Sequence, residues 1–259
     1  MGQEIPVFLI NLARRPDRLE TMAVRLQGTP FERVDAIDGQ ELSSTELAAY
    51  TGGNGEPAIS ISEAACALSH RKIWKRLLSE DIASACIIED DVLLSDEFPK
   101  LMKDDEWLPD GFDLIKLETM KVKVYLARDI VSQAGERELR FLNSFHGGTG
   151  AYIVSRGGAE ALLDATHSIE RPIDNMIFET ARKRGAVDVM QVVPAPCMQD
   201  MLSPDGGSVS DIATDRSLEP VEEKPRGLKK ILREGGRPIR QLADTGRRVT
   251  NRRMVVPFI

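Results

Sequence analysis

The ten residues Ala83–Val92, ASACIIEDDV, constrain this chain more than any other stretch. Ala85, Cys86, Ile87 and Ile88 leave no polar face, so they specify a strand covered on both sides, as in a parallel sheet. Three acids follow at its carboxyl end. Ligands of open α/β sheets bind just beyond the carboxyl ends of the strands, and strand alternation sends Glu89 and Asp91 to one side and Asp90 to the other. Carboxylates packed this closely repel. A hard divalent cation held by carboxylate oxygens, water and a substrate's phosphates relieves that repulsion most directly. The competing reading of the triplet is a solvated acidic turn after a core strand.

At 259 residues the chain can build one large α/β domain, or one domain with an appendage. Cys66, Cys86 and Cys197 are odd in number and widely spaced, which reads as reduced thiols in a cytosolic chain rather than a disulfide framework. No cationic start precedes an apolar core, so no signal peptide is expected, and no run approaches the roughly 18 apolar residues of a membrane span. The net charge of −7 hides an asymmetry: from Arg226 to Ile259, ten Lys or Arg stand against Glu234 and Asp244, a balance of +8, which leaves −15 on the other 225 residues. An acidic body and a tail with one aromatic, Phe258, argue against nucleic acid as a partner. The division expected is a body over 1–218 and a linker with a basic tail over 219–259. Leu228, Ile231, Leu232 and Gly235 share one helical face with Lys229, Lys230 and Arg233 around it. Such a stretch could attach peripherally to an anionic membrane surface, at on the order of 1 kcal/mol per cation, or remain a solvated tail.

Along the body, Ile5–Asn11 reads as a strand running into a helix opened by Pro16, with Leu19, Met22, Ala23 and Leu26 facing the sheet. The turn between them carries Arg14, Arg15 and Arg18, beside a helix N-terminus that favours anions; surface arginines are the plainer account. Neither GxGxxG nor GxxxxGK[ST] is present. Phe31–Ile37 is a second strand, closed by Asp38-Gly39, and Leu42–Tyr50 a short helix before the loop Thr51–Pro57. A helix from Ser62, with Glu63 near its start, puts Ala65, Leu68, Ser69, Ile73, Trp74 and Leu77 on one stripe. His70, beside that stripe, reads as a hydrogen-bonded packing residue. After the acids, Glu97–Lys103 is a weak helix and Phe112–Leu117 a strand. Lys121–Asp129 and Glu138–Phe145 read as strands of an antiparallel part. In His146–Ser155 (HGGTGAYIVS) three glycines allow close backbone approach to a ligand, with His146 at the loop's mouth as a metal or substrate candidate, before Ala151–Val154 returns as a strand. Gly158–Ala165 is a helix, Arg171–Arg184 another with Asp174 in its first turn, Asp188–Pro194 a final strand, and MLSPDGGSVSDI a loop that could close over a ligand.

The ordered set NLARRPDR, FERVDAIDG, SEAACALSHRKIW, IIEDDV, GTGAYIVS, PIDN and SDI resembles glycosyltransferase family 25, from about Ile5 to Ile212. That family includes bacterial lipopolysaccharide and lipooligosaccharide galactosyltransferases and the collagen galactosyltransferases. One departure is visible: Ser62-Glu63-Ala64-Ala65-Cys66 replaces both glycines of the family's Gly-Glu-x-Gly-Cys. The resemblance implies an α/β GT-A fold, with a Rossmann-like, mostly parallel central sheet and helices on both faces. It also implies inverting transfer of a hexose, galactose first among the candidates, from a UDP-sugar donor to a saccharide or glycolipid acceptor; the basic tail, if it attaches, would hold the cytoplasmic chain at the cytoplasmic face of the inner membrane, where a lipid-linked acceptor would be found. A manganese or magnesium ion would stabilise the departing diphosphate. By analogy with DxD sites, Asp91 is assigned to the metal, Glu89 to the donor ribose or the metal's water shell, and Asp90 to a supporting role at the donor. Asn11, Arg14 and Arg18 would meet the nucleotide. Inversion needs one general base for the acceptor hydroxyl; Asp174 is the candidate and His146 the runner-up. A magnesium-dependent phosphoryl-transfer enzyme fits less well, because Glu89 stands where an aspartyl nucleophile would be wanted. A binding module without turnover is the remaining alternative.

Overall fold

The computed structural model describes residues 2–43, 45, 50, 59–203 and 250–259. Strand β1 (Val7–Asn11) leads into α1 (Pro16–Arg25), β2 (Glu32–Asp35), the long helix α2 (Ile61–Ser79), β3 (Ser84–Glu89), β4 (Val92–Leu94) and α3 (Phe98–Met102). Then follow β5 (Leu114–Lys116), β6 (Glu118–Thr119), β7 (Lys123–Ala127), β8 (Ser132–Ala134), β9 (Arg137–Phe141), β10 (Ala151–Ser155) and α4 (Arg156–Ala165). Helix α5 (Ile173–Asn175) continues as a π-helical turn over Met176–Ala181, and β11 (Val189–Val193), β12 (Cys197–Gln199) and β13 (Asn251–Val255) complete the described elements.

Eight strands form the central sheet in the order β2-β1-β3-β10-β5-β11-β9-β8. The strands β2, β1 and β3 pair parallel, as do β5 and β11. Between these two groups β10 runs antiparallel to both β3 and β5, and β9 and β8 extend the far side antiparallel. Alternation along β3 divides the core: Ala85 and Ile87 pack with α2, α4 and α5, while Cys86 and Ile88 pack with Met22 and Leu26 of the α1 region and Phe98 of α3. All four are fully buried. Helices thus cover both faces of the sheet, the Rossmann-like α/β layering expected.

Local chemistry sets the element starts. Pro16 sits in the first turn of α1, and α2 opens with a capping box in which Ser60 accepts from the Glu63 N–H at 3.2 Å and Glu63 accepts from the Ser60 N–H at 2.9 Å. That reciprocal bond starts the helix at Ile61, one residue before the expected Ser62. On α1, Leu19, Met22 and Leu26 face inward as expected, but Ala23 is exposed. Arg18 and Arg25 turn toward the body instead, drawn to Asp90 and Asp200. The expected helix Leu42–Tyr50 and loop Thr51–Pro57 fall mostly outside the described residues, as do the linker and the basic amphipathic stretch. No helix among the described residues is long and apolar enough to cross a membrane. All three cysteines are free thiols.

The segment 250–259, placed by sequence in the tail, returns to the body. Strand β13 pairs antiparallel with β7, Thr119 donates its hydroxyl to the Val256 carbonyl at 2.7 Å, and Val256 is fully buried in the α2-side core. Two exposed charged residues, Arg252 and Arg253, precede the apolar run Met254–Val256, of which Val256 is the buried member. Val256→Ala should therefore lower unfolding stability by about 2 kcal/mol, the value of two buried methyls with their cavity. A loss below about 0.5 kcal/mol in urea titration, the range of an ordinary surface change, would mean the segment does not pack there.

Candidate active site

The carboxyl ends of β1 and β3 and the first turns of α1 and α2 surround a cavity of about 460 Å³, with Glu89, Asp90 and Asp91 on its wall. The acids are not a solvated turn. Each is held differently, and the differences follow from strand alternation. Asp90 faces the α1 side, where its carboxylate accepts from Asn11 Nδ2 at 2.7 Å and from the Arg18 guanidinium at 3.0 Å. Burial still outweighs those two partners and raises its pKa. Glu89 faces α2: His70 Nε2 lies 3.0 Å and Thr149 Oγ1 2.6 Å from its Oε1. Burial pushes Glu89 up, but the hydrogen bonds from His70 and Thr149 and the charge of Lys116 bring it below its ordinary value.

Asp91 has no such support. Its Oδ1 is buried with no hydrogen-bond partner among the described residues, and its backbone carbonyl accepts from the Asp200 N–H. Burial first, then the charges of Glu89 and Asp90, with Glu118 adding, push its carboxyl up to about 8. An acid forced toward its neutral form among other acids is what a divalent cation would relieve. The donor set here, hard carboxylate oxygens with one of them orphaned, fits manganese or magnesium.

His70 is more than the packing residue the sequence suggested. It is fully buried, and its Nδ1 lies 2.9 Å from the Tyr152 hydroxyl, which also accepts from Trp74 Nε1 at 3.0 Å. Tyr152 can then give its own proton to Nδ1, which leaves the His70 proton on Nε2, aimed at Glu89. The chain Trp74–Tyr152–His70 therefore fixes which oxygen of Glu89 faces the protein.

The glycine loop links these acids to Asp174. The N–H of Gly148 donates to Asp174 Oδ2 at 3.1 Å, while Thr149 reaches Glu89. Gly148 has φ +83°, and a Cβ there would sit 2.7 Å from Glu118 Oε1, so only glycine fits. Asp174 is half-buried at the start of α5. Both it and Asp91 act electrostatically on the Cys66 thiol, as does Glu89, so the base candidate and the acids share one neighbourhood. Arg14 lines the same cavity and pairs with Asp38 at 2.7 Å.

His146, the runner-up base, is excluded by its surroundings. It is fully buried, its Nε2 accepts from the Met120 N–H at 3.0 Å, and its Nδ1 donates to Gln191 Oε1 at 2.8 Å. Burial and the charge of Lys116 lower its pKa to about 3, and neither nitrogen is available to an acceptor.

Lys116 and Glu118 are the residues the sequence reading missed. Both are fully buried, paired at 2.7 Å, with Lys116 Nζ also donating to the Gly148 carbonyl at 2.5 Å and Glu118 Oε1 accepting from the Gly150 N–H at 2.9 Å. Together they clamp the glycine loop from below. Burial drives both toward their neutral forms, Lys116 down and Glu118 up, and Glu118 Oε2 is a second buried oxygen without a hydrogen-bond partner among the described residues. The signal for them was two charged residues two positions apart, Lys116 and Glu118, in the otherwise apolar run LIKLE.

Residues 4–177 match the model of glycosyltransferase family 25 (LPS biosynthesis protein). Among curated proteins, Lacto-N-neotetraose biosynthesis glycosyltransferase LgtB of Neisseria gonorrhoeae is 33% identical over 205 residues, covering 74% of each chain. LgtE of the same species is 32% identical, covering 87% of this chain and 90% of its own. Lipooligosaccharide biosynthesis protein lic2B of Haemophilus influenzae is 26% identical over 97% of this chain and 98% of its own. The chain belongs to glycosyltransferase family 25. It is a glycosyltransferase of lipopolysaccharide or lipooligosaccharide biosynthesis, and takes a sugar donor and a saccharide acceptor.

Two predictions follow from these geometries. Lys116→Met leaves Glu118 buried without its ion partner and should cost about 3–5 kcal/mol. Adding Glu118→Gln, which keeps an acceptor for Gly150, should recover more than half; additive losses in a double-mutant cycle would contradict a coupled pair. For Asp91, a folded pKa near 8 against an unfolded value near 3.8 means the unfolded chain loses its proton first. Stability is therefore unaffected at low pH and falls as pH rises between those two values. Asp91→Asn should accordingly be more stable than wild type near about pH 8.5, with the gap closing toward about pH 4. Parallel melting curves across that range would refute the raised acid.

Proposed function

We propose that this glycosyltransferase moves a hexose, galactose by preference, from a UDP-sugar to a saccharide acceptor with inversion at the anomeric carbon. The observation that carries this reading is the unsupported, raised Asp91 carboxylate at the end of β3, beside a cavity large enough for a nucleotide. Galactose is favoured because Procollagen galactosyltransferase 2 of Homo sapiens is 29% identical over 174 residues, 61% of this chain and 27% of its own.

Asp91 would hold a manganese or magnesium ion, with Glu89 reaching its water shell or the donor ribose through the carboxylate oxygen that His70 and Thr149 leave unengaged. That ion, when bound, supplies positive charge for the departing diphosphate. The chain's own residues do the rest. Asn11 and Arg18 hold Asp90 still, so that its charge borders the donor cavity without rotating into it. Arg14, in its pair with Asp38, offers guanidinium N–H groups to the nucleotide. Asp174 takes the proton of the acceptor hydroxyl as that oxygen bonds to the anomeric carbon and the bond to the diphosphate breaks. The Gly148 N–H, donating to Asp174 Oδ2, leaves its other oxygen to Asn175 and to that proton.

Calorimetric titration of UDP into the protein, with manganese and with chelator, tests the donor assignment. Metal-dependent binding that Asp91→Ala abolishes is the expected result; a folded protein that binds no UDP under either condition would overturn it. Asp174→Asn should keep UDP affinity within a few-fold while lowering kcat by roughly 10²–10⁴, the usual contribution of a general base. Equal activity of that variant would move the base elsewhere.

A further inference from the structure

A second, softer donor set lies on the same cavity wall. The Cys66 sulfur, a ring nitrogen of His70 and a Glu89 oxygen lie within 4.8 Å of one another. Cys66 and His70 are four residues apart on α2, so one helix face presents both, and β3 brings Glu89 opposite them. We propose that Cys66, His70 and Glu89 form a zinc-binding site on the wall of the donor cavity, separate from the Asp91 carboxylate. Thiolate, imidazole and carboxylate are the ligand types of three-residue zinc sites, which keep the fourth position open to water or substrate. All three residues line the cavity, so an entry path and that open position come with the geometry.

Tetrahedral zinc with bonds of about 2.0–2.3 Å separates its donors by roughly 3.3–3.8 Å, and His70 and Glu89 are already 3.0 Å apart. The Cys66 sulfur, within 4.8 Å of both, needs to approach by no more than about 1 Å to complete the set. The protons balance simply. Zinc replaces the thiol proton of Cys66, which passes to solvent, and displaces the proton that His70 Nε2 shares with Glu89, which moves to Nδ1. There the Tyr152 oxygen, 2.9 Å away, accepts it once its own O–H turns off Nδ1, the neighbouring hydrogen bond that orients metal-bound histidines. Manganese and magnesium prefer all-oxygen sites and have little use for a thiolate. The two positions are therefore sorted by metal softness, and zinc at the first places a cation where the donor enters. This inference does not depend on the identity of the donor sugar.

The experiment is zinc titration against a chromophoric chelator, in reductant that does not bind metal, for wild type, Cys66→Ser and Asp91→Asn. One zinc per chain is expected, weakened about 100-fold or more by Cys66→Ser and within threefold of wild type in Asp91→Asn. Cobalt substitution in the wild type gives an independent readout, since thiolate ligation produces a near-ultraviolet charge-transfer band and strong visible bands. Zinc affinity unchanged in Cys66→Ser, or cobalt spectra without the thiolate band, would overturn the site. The UDP titration described above separates this from the donor reading: Cys66→Ser should still bind UDP with manganese, and Asp91→Ala should not.

Discussion

Everything at this site depends on keeping several negative charges out of water and close together. Burial alone would protonate all of them, and the chain answers each acid separately: Asn11 and Arg18 for Asp90, His70 and Thr149 for Glu89, Lys116 for Glu118. Burial still raises Asp90 and Glu118, and Asp91, whose Oδ1 has no hydrogen-bond partner among the described residues, is pushed up to about 8. A fold that wanted only stability would place an amide there.

Much of this was legible in the sequence because local periodicity encodes which face a residue takes. The double-sided burial of Ala85 to Ile88, the acids at the strand end, the βα unit beginning at Ile5 and the glycine loop before β10 could all be read from neighbours in the chain. What could not be read is which distant residue each face meets. His70 lies on a helix and looks like core; only the folded chain puts Glu89 on one side of its ring and Tyr152 on the other. His146 looked like a site residue because it borders a glycine loop, yet its ring turns inward to Gln191. Lys116 and Glu118 sit in a run otherwise suited to a buried strand, and a charged pair fully inside a core contradicts every composition rule that would have found them. The short strands β4 and β12 carry too few residues for any period to register.

The folded arrangement also ties catalytic groups to packing groups. Thr149 hydrogen-bonds Glu89 while its neighbour Gly148 binds Asp174 and is itself held by Lys116, so the base candidate and the acids are connected through two peptide units. A substitution that only relaxes packing beneath the loop would be felt at both. Trp74, fully buried one turn beyond His70 on α2, reaches Glu89 through Tyr152 and His70.

The reversed direction of β10 has its own consequence. A parallel strand delivers only its trailing loop to the ligand edge of a sheet, whereas β10 delivers its leading loop, 146–150, to the edge where β3 ends. Its trailing residue, Ser155, caps α4 at the opposite edge by accepting from the Gly158 N–H, where Gly158 packs so tightly that a Cβ would meet the Asp113 carbonyl at 2.3 Å. One five-residue strand thus has a chemical end and a structural end. Changes in 146–150 are therefore felt at Glu89 and Asp174, whereas changes at Ser155 or Gly158 are felt in how α4 seats against the sheet.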